Sequence, residues 1–150
     1  MSRTLIWAGL VAGLSAIGLA GCDADYGGNV LERDEAIVNR IALGEFKELP
    51  RDCRSACTME LGMYRQGLIC VHADARFYFH GTMRRQDGRL IPIYGDMKDR
   101  YDEMVGRHYP PNLKRWWDET GRWAIGLTNF EVLTGQQIHD MDGGLVPLCE

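Results

Sequence analysis

The chain has 150 residues, of which 45% are hydrophobic and 25% charged, and its formal net charge is −4 at pH 7. This length is enough for one small domain with a hydrophobic core and too short for two. The acidic balance and the lack of a dense basic patch argue against a nucleic-acid partner, because the nearest basic cluster, Arg84, Arg85 and Arg89, is interrupted by Asp87.

The N-terminal segment has the layout of an export signal. Arg3 is followed by an uncharged, mostly apolar run that ends at Gly21, which is typical of a signal peptide. As a helix, residues 5–20 would extend about 24 Å, short of the roughly 30 Å hydrocarbon core of a bilayer. We therefore expect residues 1–21 to be removed, leaving a domain of residues 22–150 with a formal charge of −5, because Arg3 is the only charge lost.

The apolar run ends in Leu19-Ala20-Gly21-Cys22, which resembles the lipobox of bacterial lipoproteins. In that resemblance, the Cys22 thiol receives the lipid and becomes the first residue of the mature protein. Asp23 resembles the signal that keeps such proteins at the inner membrane of enteric-type bacteria. The resemblance implies a protein tethered to the periplasmic face of a membrane. The alternative is an uncleaved anchor helix with an incidental Cys22.

Four cysteines remain once Cys22 is assigned to lipid, and an even number in an exported protein favours two disulfides. They are Cys53, Cys57, Cys70 and Cys149. Three pairings are possible and the sequence does not choose among them, although Cys149 is placed to tie the C-terminal tail to the core. The rival interpretation is a metal site at Cys53 and Cys57, but no second pair or nearby histidine supports it. We expect neither a metal nor a cofactor.

In the first half of the domain, residues 30–43 show apolar positions at helical spacing and predict an amphipathic helix. Residues 55–64 again have a helical pattern. Two strands are predicted at 68–72 and 76–80, the second by its alternation of phenylalanine with other residues.

In the second half, Asp87-Gly88 predicts the turn of a small hairpin. Helices are predicted at 96–107 and 112–119, and a capping box opens a last helix over 134–141. A terminal strand is predicted at 145–148. Helices that alternate with strands indicate a small α/β layered domain.

Three features along the chain have a spacing that points to chemistry. Gly27-Gly28 lies before the first predicted helix, Ser55 opens the second helix 28 residues after Gly27, and His80 ends a strand 25 residues after Ser55. This arrangement resembles the Clp-protease/crotonase superfamily, in particular its exported bacterial members with a ClpP-like domain. The resemblance covers residues 26–82 best and returns faintly in residues 129–146.

The resemblance implies a role for each of these residues. Ser55 would be the nucleophile and His80 the general base, because a serine hydroxyl is a weak nucleophile until an imidazole takes its proton. The backbone N–H groups of Gly27, Gly28 and Ala56 would form the oxyanion hole. The chemistry implied is hydrolysis of an amide or an ester.

The third member of such a triad is less well defined. In the Clp proteases an Asp orients the His, and the matching interval leads here to Asn129, which can hold an imidazole tautomer but cannot stabilise imidazolium as a carboxylate does. The alternatives are Asp118, Asp140 and Asp142. The remaining histidines match nothing in the resemblance and are predicted to lie at the surface: His72, His108 and His139.

Only four residues separate Cys22 from Gly27, so the strands that precede the Gly-Gly loop in the superfamily are missing and we expect a fold truncated on its N-terminal side. Two functions remain open. One is a membrane-anchored serine hydrolase or peptidase acting on a peptide or ester. The other is a catalytically inactive envelope lipoprotein that serves as a binding or assembly module. Because superfamily members commonly form trimers or larger rings, a homo-oligomer is also implied.

Overall fold

The computed structural model describes residues 29–125 and 129–150. The predicted signal peptide, the lipid attachment at Cys22, the retention signal at Asp23 and the Gly27-Gly28 loop lie outside these residues. Within the described ranges, no helix is both long enough and apolar enough to cross a membrane.

The first helix, α1 (Val30–Leu43), has the bounds that the sequence predicts. Asn29 caps it by accepting a hydrogen bond from the Leu31 amide at 2.9 Å, which satisfies one of the amides that a helix start leaves unpaired. The helix ends where Gly44 adopts a left-handed conformation with φ 66°. Ile37 is buried against the rest of the domain.

Two neighbouring parallel strands form the centre of the domain. β2 (Asp52–Arg54) pairs with β4 (Arg76–Phe79), and Arg54 lies opposite Tyr78. Phe77 and Phe79 of β4 are buried, in agreement with the predicted alternation. On its other side β4 pairs antiparallel with β7, residues Glu131–Thr134, to give the sheet order β2-β4-β7.

The segment between β2 and β4 contains a 3₁₀ helix, Ser55–Gln66, which we call the elbow helix. Its helical nature was predicted, although a 3₁₀ helix of 12 residues is unusually long. Glu60, which is buried, contacts Arg33 of α1 and lies 2.8 Å from the Lys47 ammonium. These ion pairs tie the elbow helix to the elements around it, because a buried carboxylate requires a partner charge.

The remaining strands are short. Parallel strands β1 (Lys47–Glu48) and β3 (Ile69–Cys70) pair with each other, so the strand predicted at 68–72 contains only two residues. The predicted terminal strand at 145–148 is wrong: a single parallel bridge joins Leu148 to Val71. A longer ladder does not form because Pro147 has no N–H to donate.

The hairpin of β5 (Met83–Gln86) and β6 (Arg89–Pro92) confirms the turn predicted at Asp87-Gly88. Both turn residues have positive φ, 50° and 77°, as a two-residue hairpin turn requires. This hairpin forms a two-stranded sheet of its own.

Three α-helices complete the domain: α2 (Gly95–Gly106), α3 (Pro111–Glu119) and α4 (Gly135–Met141). Their bounds agree with the predicted helices to within one residue. The capping box of α4 is present, because Thr134 and Gln137 each bond to the other's backbone amide.

Two disulfides join the four cysteines, as the even count predicts, and the structure decides the pairing: Cys53–Cys57 and Cys70–Cys149. The second bond ties the C-terminus to β3. The predicted α/β class is confirmed as a mixed α/β domain with small sheets. The largest side chains of its core are buried between the central sheet and the helices: Ile37, Met59, Phe77, Phe79, Trp117 and Ile138.

Candidate active site

Ser55 is the first residue of the elbow helix and stands at the sharp turn that directly follows β2. Its φ is 54°, a left-handed conformation that L-residues other than glycine rarely adopt. Such a conformation persists only where the surrounding structure enforces it, and it occurs often at functional sites. A serine on a strained strand-to-helix turn has the geometry of a nucleophile elbow, in which the hydroxyl is presented at the end of the sheet.

Covalent and hydrogen bonds hold this turn in place. The disulfide between the buried Cys53 and Cys57 closes a loop with Ser55 at its centre. Thr58 donates from its hydroxyl to the Ser55 carbonyl at 2.7 Å, and the Tyr109 hydroxyl lies 2.6 Å from the same Thr58 oxygen. Burial raises the pKa of Tyr109 far above its ordinary value, so its phenol stays protonated as a member of this chain.

The sheet topology brings His80 to Ser55. Ser55 directly follows β2 and His80 directly follows β4, and these strands are parallel neighbours with Arg54 opposite Tyr78. Adjacent strands lie about 4.8 Å apart. Ser55 and His80 therefore both lie at the end of the sheet where β2 and β4 have their carboxyl ends. Both line one cavity of about 60 Å³. Sequence spacing predicts this pair, and both residues line this cavity.

The protonation state of His80 is set by its surroundings. Its Nδ1 atom lies 2.7 Å from the Gly81 carbonyl oxygen. Because a carbonyl only accepts, Nδ1 carries the proton and Nε2 has the free lone pair. Burial lowers the pKa of His80, while the Gly81 hydrogen bond and the negative charge of Asp102 oppose that effect. The imidazole is therefore neutral near pH 7 and able to accept a proton at Nε2.

Asp102 is a site residue that sequence reasoning missed. It is fully buried, accepts hydrogen bonds from the Thr82 amide at 2.9 Å and hydroxyl at 2.8 Å, and contacts the Lys98 ammonium. The Arg122 guanidinium lies 3.2 Å from it. The available signal was the i, i+4 spacing of Lys98 and Asp102 on one predicted helix. That spacing is common on exposed helices and does not reveal burial.

This buried ion cluster fixes the backbone that orients His80. Asp102 holds Thr82, the residue after Gly81, and the Gly81 amide donates to the Ala124 carbonyl at 2.8 Å. A Cβ atom on Gly81 would lie 2.3 Å from the Arg122 carbonyl oxygen, so only glycine allows this approach. These contacts fix the backbone at Gly81, whose carbonyl oxygen lies 2.7 Å from His80 Nδ1.

Asn129 lies at an exposed position beside Phe130, whose ring packs edge-on against the His80 ring at 5.1 Å. The sequence predicts a side chain, Asn129 or an aspartate, as the partner of His80 Nδ1. In the structure that partner is the backbone carbonyl of Gly81. The three alternative aspartates each bond elsewhere: Asp118 to Lys114, Asp140 to Gln136, and Asp142 to the Asn112 and Leu113 amides.

The other histidines take structural roles. The prediction that His108 lies at the surface is wrong, because its side chain is only 11% exposed and its Nε2 atom lies 2.8 Å from the Asp34 carboxylate. Nδ1 of His139 lies 2.8 Å from the Val146 carbonyl. His72 lies 3.4 Å from an oxygen of Glu48.

One group of potential metal ligands is found among the described residues: Glu48, His72 and Cys149. The Cys149 sulfur is bonded to Cys70, so it offers no thiolate, and two side chains alone make a poor metal site. The rival interpretation of Cys53 and Cys57 as metal ligands also fails because they are bonded to each other.

No protein-family model, curated protein or solved structure matches this chain. The site itself combines a serine on a strained turn, a neutral imidazole with its lone pair on Nε2, and the first turn of a helix that begins at the serine. The buried Ala56 is the first residue of that helix after Ser55, and the first amides of a helix have no carbonyl partner within it.

Proposed function

We propose that this chain is a serine hydrolase in which Ser55 is the nucleophile and His80 is the general base. The observation that carries the proposal is the shared cavity of these two residues, with Ser55 at φ 54° and His80 held through Nδ1. If His80 had only a structural role, its hydrogen bond to Gly81 would be sufficient. That role would not explain why a serine in a strained conformation lines the same cavity. Together the two features make an acyl-transfer pair.

In the proposed mechanism, the substrate carbonyl lies over Ser55. His80 Nε2 takes the hydroxyl proton as Oγ attacks the carbonyl carbon, and the developing oxyanion accepts a hydrogen bond from the Ala56 amide. His80 then donates the proton to the leaving amine or alcohol. Water, activated by the same imidazole, hydrolyses the acyl-serine. The hydrogen bond from Nδ1 to the Gly81 carbonyl stabilises the imidazolium that forms, and the charge of Asp102 also favours the protonated ring.

We further propose that the domain is a shortened Clp-protease/crotonase-like fold. The succession of β2, the elbow helix and β4, with the serine after the first strand and the histidine after the last, supports this relationship. Gly27 and Gly28 directly precede Asn29 in sequence, and their oxyanion role belongs to the proposed relationship.

The proposed location is the periplasmic face of a membrane, with lipid on Cys22. Eight residues lead from Cys22 to Val30, and such a segment spans at most about 29 Å. Because Val30 lines the cavity, substrate would be met within that distance of the membrane. Mass spectrometry of the mature N-terminus tests the anchor: a diacylated Cys22 is expected, and an intact Met1 would contradict it.

A serine-reactive probe tests the hydrolase proposal sharply, because Ser55 is the sole serine in residues 22–150. The full chain in detergent is treated with a fluorophosphonate and the adduct is located by peptide mass spectrometry. We expect an adduct on Ser55 that is absent in Ser55→Ala and much slower to form in His80→Gln. Thr120→Ala, which removes an exposed hydroxyl elsewhere, is the matched control.

Two outcomes would overturn the proposal. One is a folded protein whose Ser55 stays unmodified under conditions that label a known serine hydrolase. The other is labelling that persists in Ser55→Ala. Either result would favour the alternative, a catalytically inactive lipoprotein that acts as a binding or assembly module.

A further inference from the structure

The cavity beside Ser55 and His80 has an apolar wall. Most of its nonpolar lining comes from six side chains: Val30, Met83, Leu90, Val105, Tyr109 and Trp117. The other polar groups that line it are already bonded within the protein, since the Thr58 hydroxyl bonds to Tyr109 and the Thr82 hydroxyl bonds to Asp102. A group that enters the cavity therefore meets hydrocarbon, apart from the serine and histidine themselves. An uncharged, apolar group fits this environment.

The cavity is also small. Its volume of about 60 Å³ accommodates roughly four water molecules, because a cavity needs about 10–15 Å³ on this measure to hold one. That is enough for a chain of up to about four carbon atoms. The floor cannot expand readily, because Trp117 is only 1% exposed, contacts the Tyr109 ring edge-on and donates from its indole to the Asp102 carbonyl at 3.2 Å.

We propose that this cavity is an acyl pocket, and that the Ser55–His80 site acts on esters or amides of short, uncharged acyl groups of up to about four carbons. The inference rests on the proposed hydrolase function. Ser55 Oγ bonds to the acyl carbon and the alcohol or amine leaves with the proton carried by His80. Water then cleaves the acyl-serine, releasing the short carboxylic acid and regenerating the hydroxyl.

The outer wall of the pocket sets its size limit. Met83 and Leu90 belong to the β5–β6 hairpin, and Leu90 is 37% exposed. Shortening Leu90 therefore opens the pocket toward solvent without removing a core residue. The floor residues Val105, Tyr109 and Trp117 are buried, so replacing them would damage the core and would not test the pocket.

The experiment measures kcat/KM of the full chain in detergent for p-nitrophenyl acetate, propionate, butyrate, hexanoate and octanoate. We expect acetate and propionate to exceed hexanoate by at least about tenfold, because one methylene too many in a fitted apolar pocket changes kcat/KM by about 10- to 200-fold. Leu90→Ala should raise the hexanoate-to-acetate ratio by about tenfold. Leu145→Ala, an exposed leucine outside the cavity lining, should leave the ratio unchanged.

The outcomes separate this inference from the function on which it rests. Fluorophosphonate labelling of Ser55 together with a flat profile, or with a preference for long chains, overturns the acyl pocket and leaves the hydrolase proposal standing. An unchanged ratio in Leu90→Ala, with a preserved urea unfolding midpoint, overturns the placement of the pocket wall. A Ser55 that no phosphonate labels overturns both proposals.

Discussion

We expect the Cys70–Cys149 disulfide to contribute more to the free energy of unfolding and the Cys53–Cys57 disulfide to contribute more to the reactivity of Ser55. Cys53–Cys57 closes a loop with a sequence separation of 4, whereas Cys70–Cys149 closes one with a separation of 79. A crosslink stabilises the fold mainly by restricting the unfolded chain, and the restriction grows with loop length. The short loop, however, contains Ser55. Each disulfide is removed in a separate double variant in which both of its cysteines are replaced by alanine.

The magnitudes follow from the loop lengths. The chain-entropy relation gives about 2 kcal/mol for the separation of 4 and about 4.5 kcal/mol for that of 79. Freeing the short loop also lets Ser55 leave its left-handed conformation, which is unfavourable by roughly 1–2 kcal/mol for an L-residue. We therefore expect Cys53→Ala with Cys57→Ala to slow labelling of Ser55 about tenfold, because the productive turn becomes a minor conformation.

Urea unfolding measures the free energy of unfolding of each variant, and the rate of fluorophosphonate labelling measures the reactivity of Ser55 below the unfolding transition. Cys70→Ala with Cys149→Ala should lose more stability yet label near the original rate. The reasoning would be refuted if removing the short-loop bond cost more stability than removing the long-loop bond. It would equally be refuted if Ser55 reacted at the same rate without its flanking disulfide.

Three further predictions concern the base and its support. Hydrolysis should fall as pH drops through the pKa of His80, and since burial lowers that pKa, the midpoint in a kcat/KM–pH profile should lie below the ordinary histidine value; a higher midpoint would contradict this. Asp102→Asn takes the carboxylate partner from the buried Lys98 ammonium and should lower the free energy of unfolding, measured in urea, by about 3–5 kcal/mol. Asp99→Asn, which removes an exposed partner of Arg122, should cost under about 1 kcal/mol. Gly81→Ala would place Cβ 2.3 Å from the Arg122 carbonyl oxygen and should reduce kcat/KM by about tenfold or more; unchanged kinetics would show that the position of this carbonyl is not needed.

Local sequence signals predicted the helices and the hairpin because their causes are local. The helical spacing from Val30, the turn at Asp87-Gly88 and the capping box at Thr134 each depend on residues within a few positions of one another. The terminal strand failed for the opposite reason. Leu148 pairs with Val71, which is far away in the sequence. A local hydrophobic run does not indicate how many residues of a distant strand can pair with it.

The sequence by itself determined the even cysteine count, the export-like N-terminal segment, and the spacing that nominated Ser55 and His80. Tertiary structure alone decided which cysteines pair, that Ser55 is held at positive φ, and that the partner of His80 Nδ1 is the Gly81 carbonyl. It also decided the burial of Asp102. The physical reason is that residue types and their spacing are properties of the sequence. Burial, ion pairing and the partner of an imidazole nitrogen arise only when distant segments pack together and exclude water.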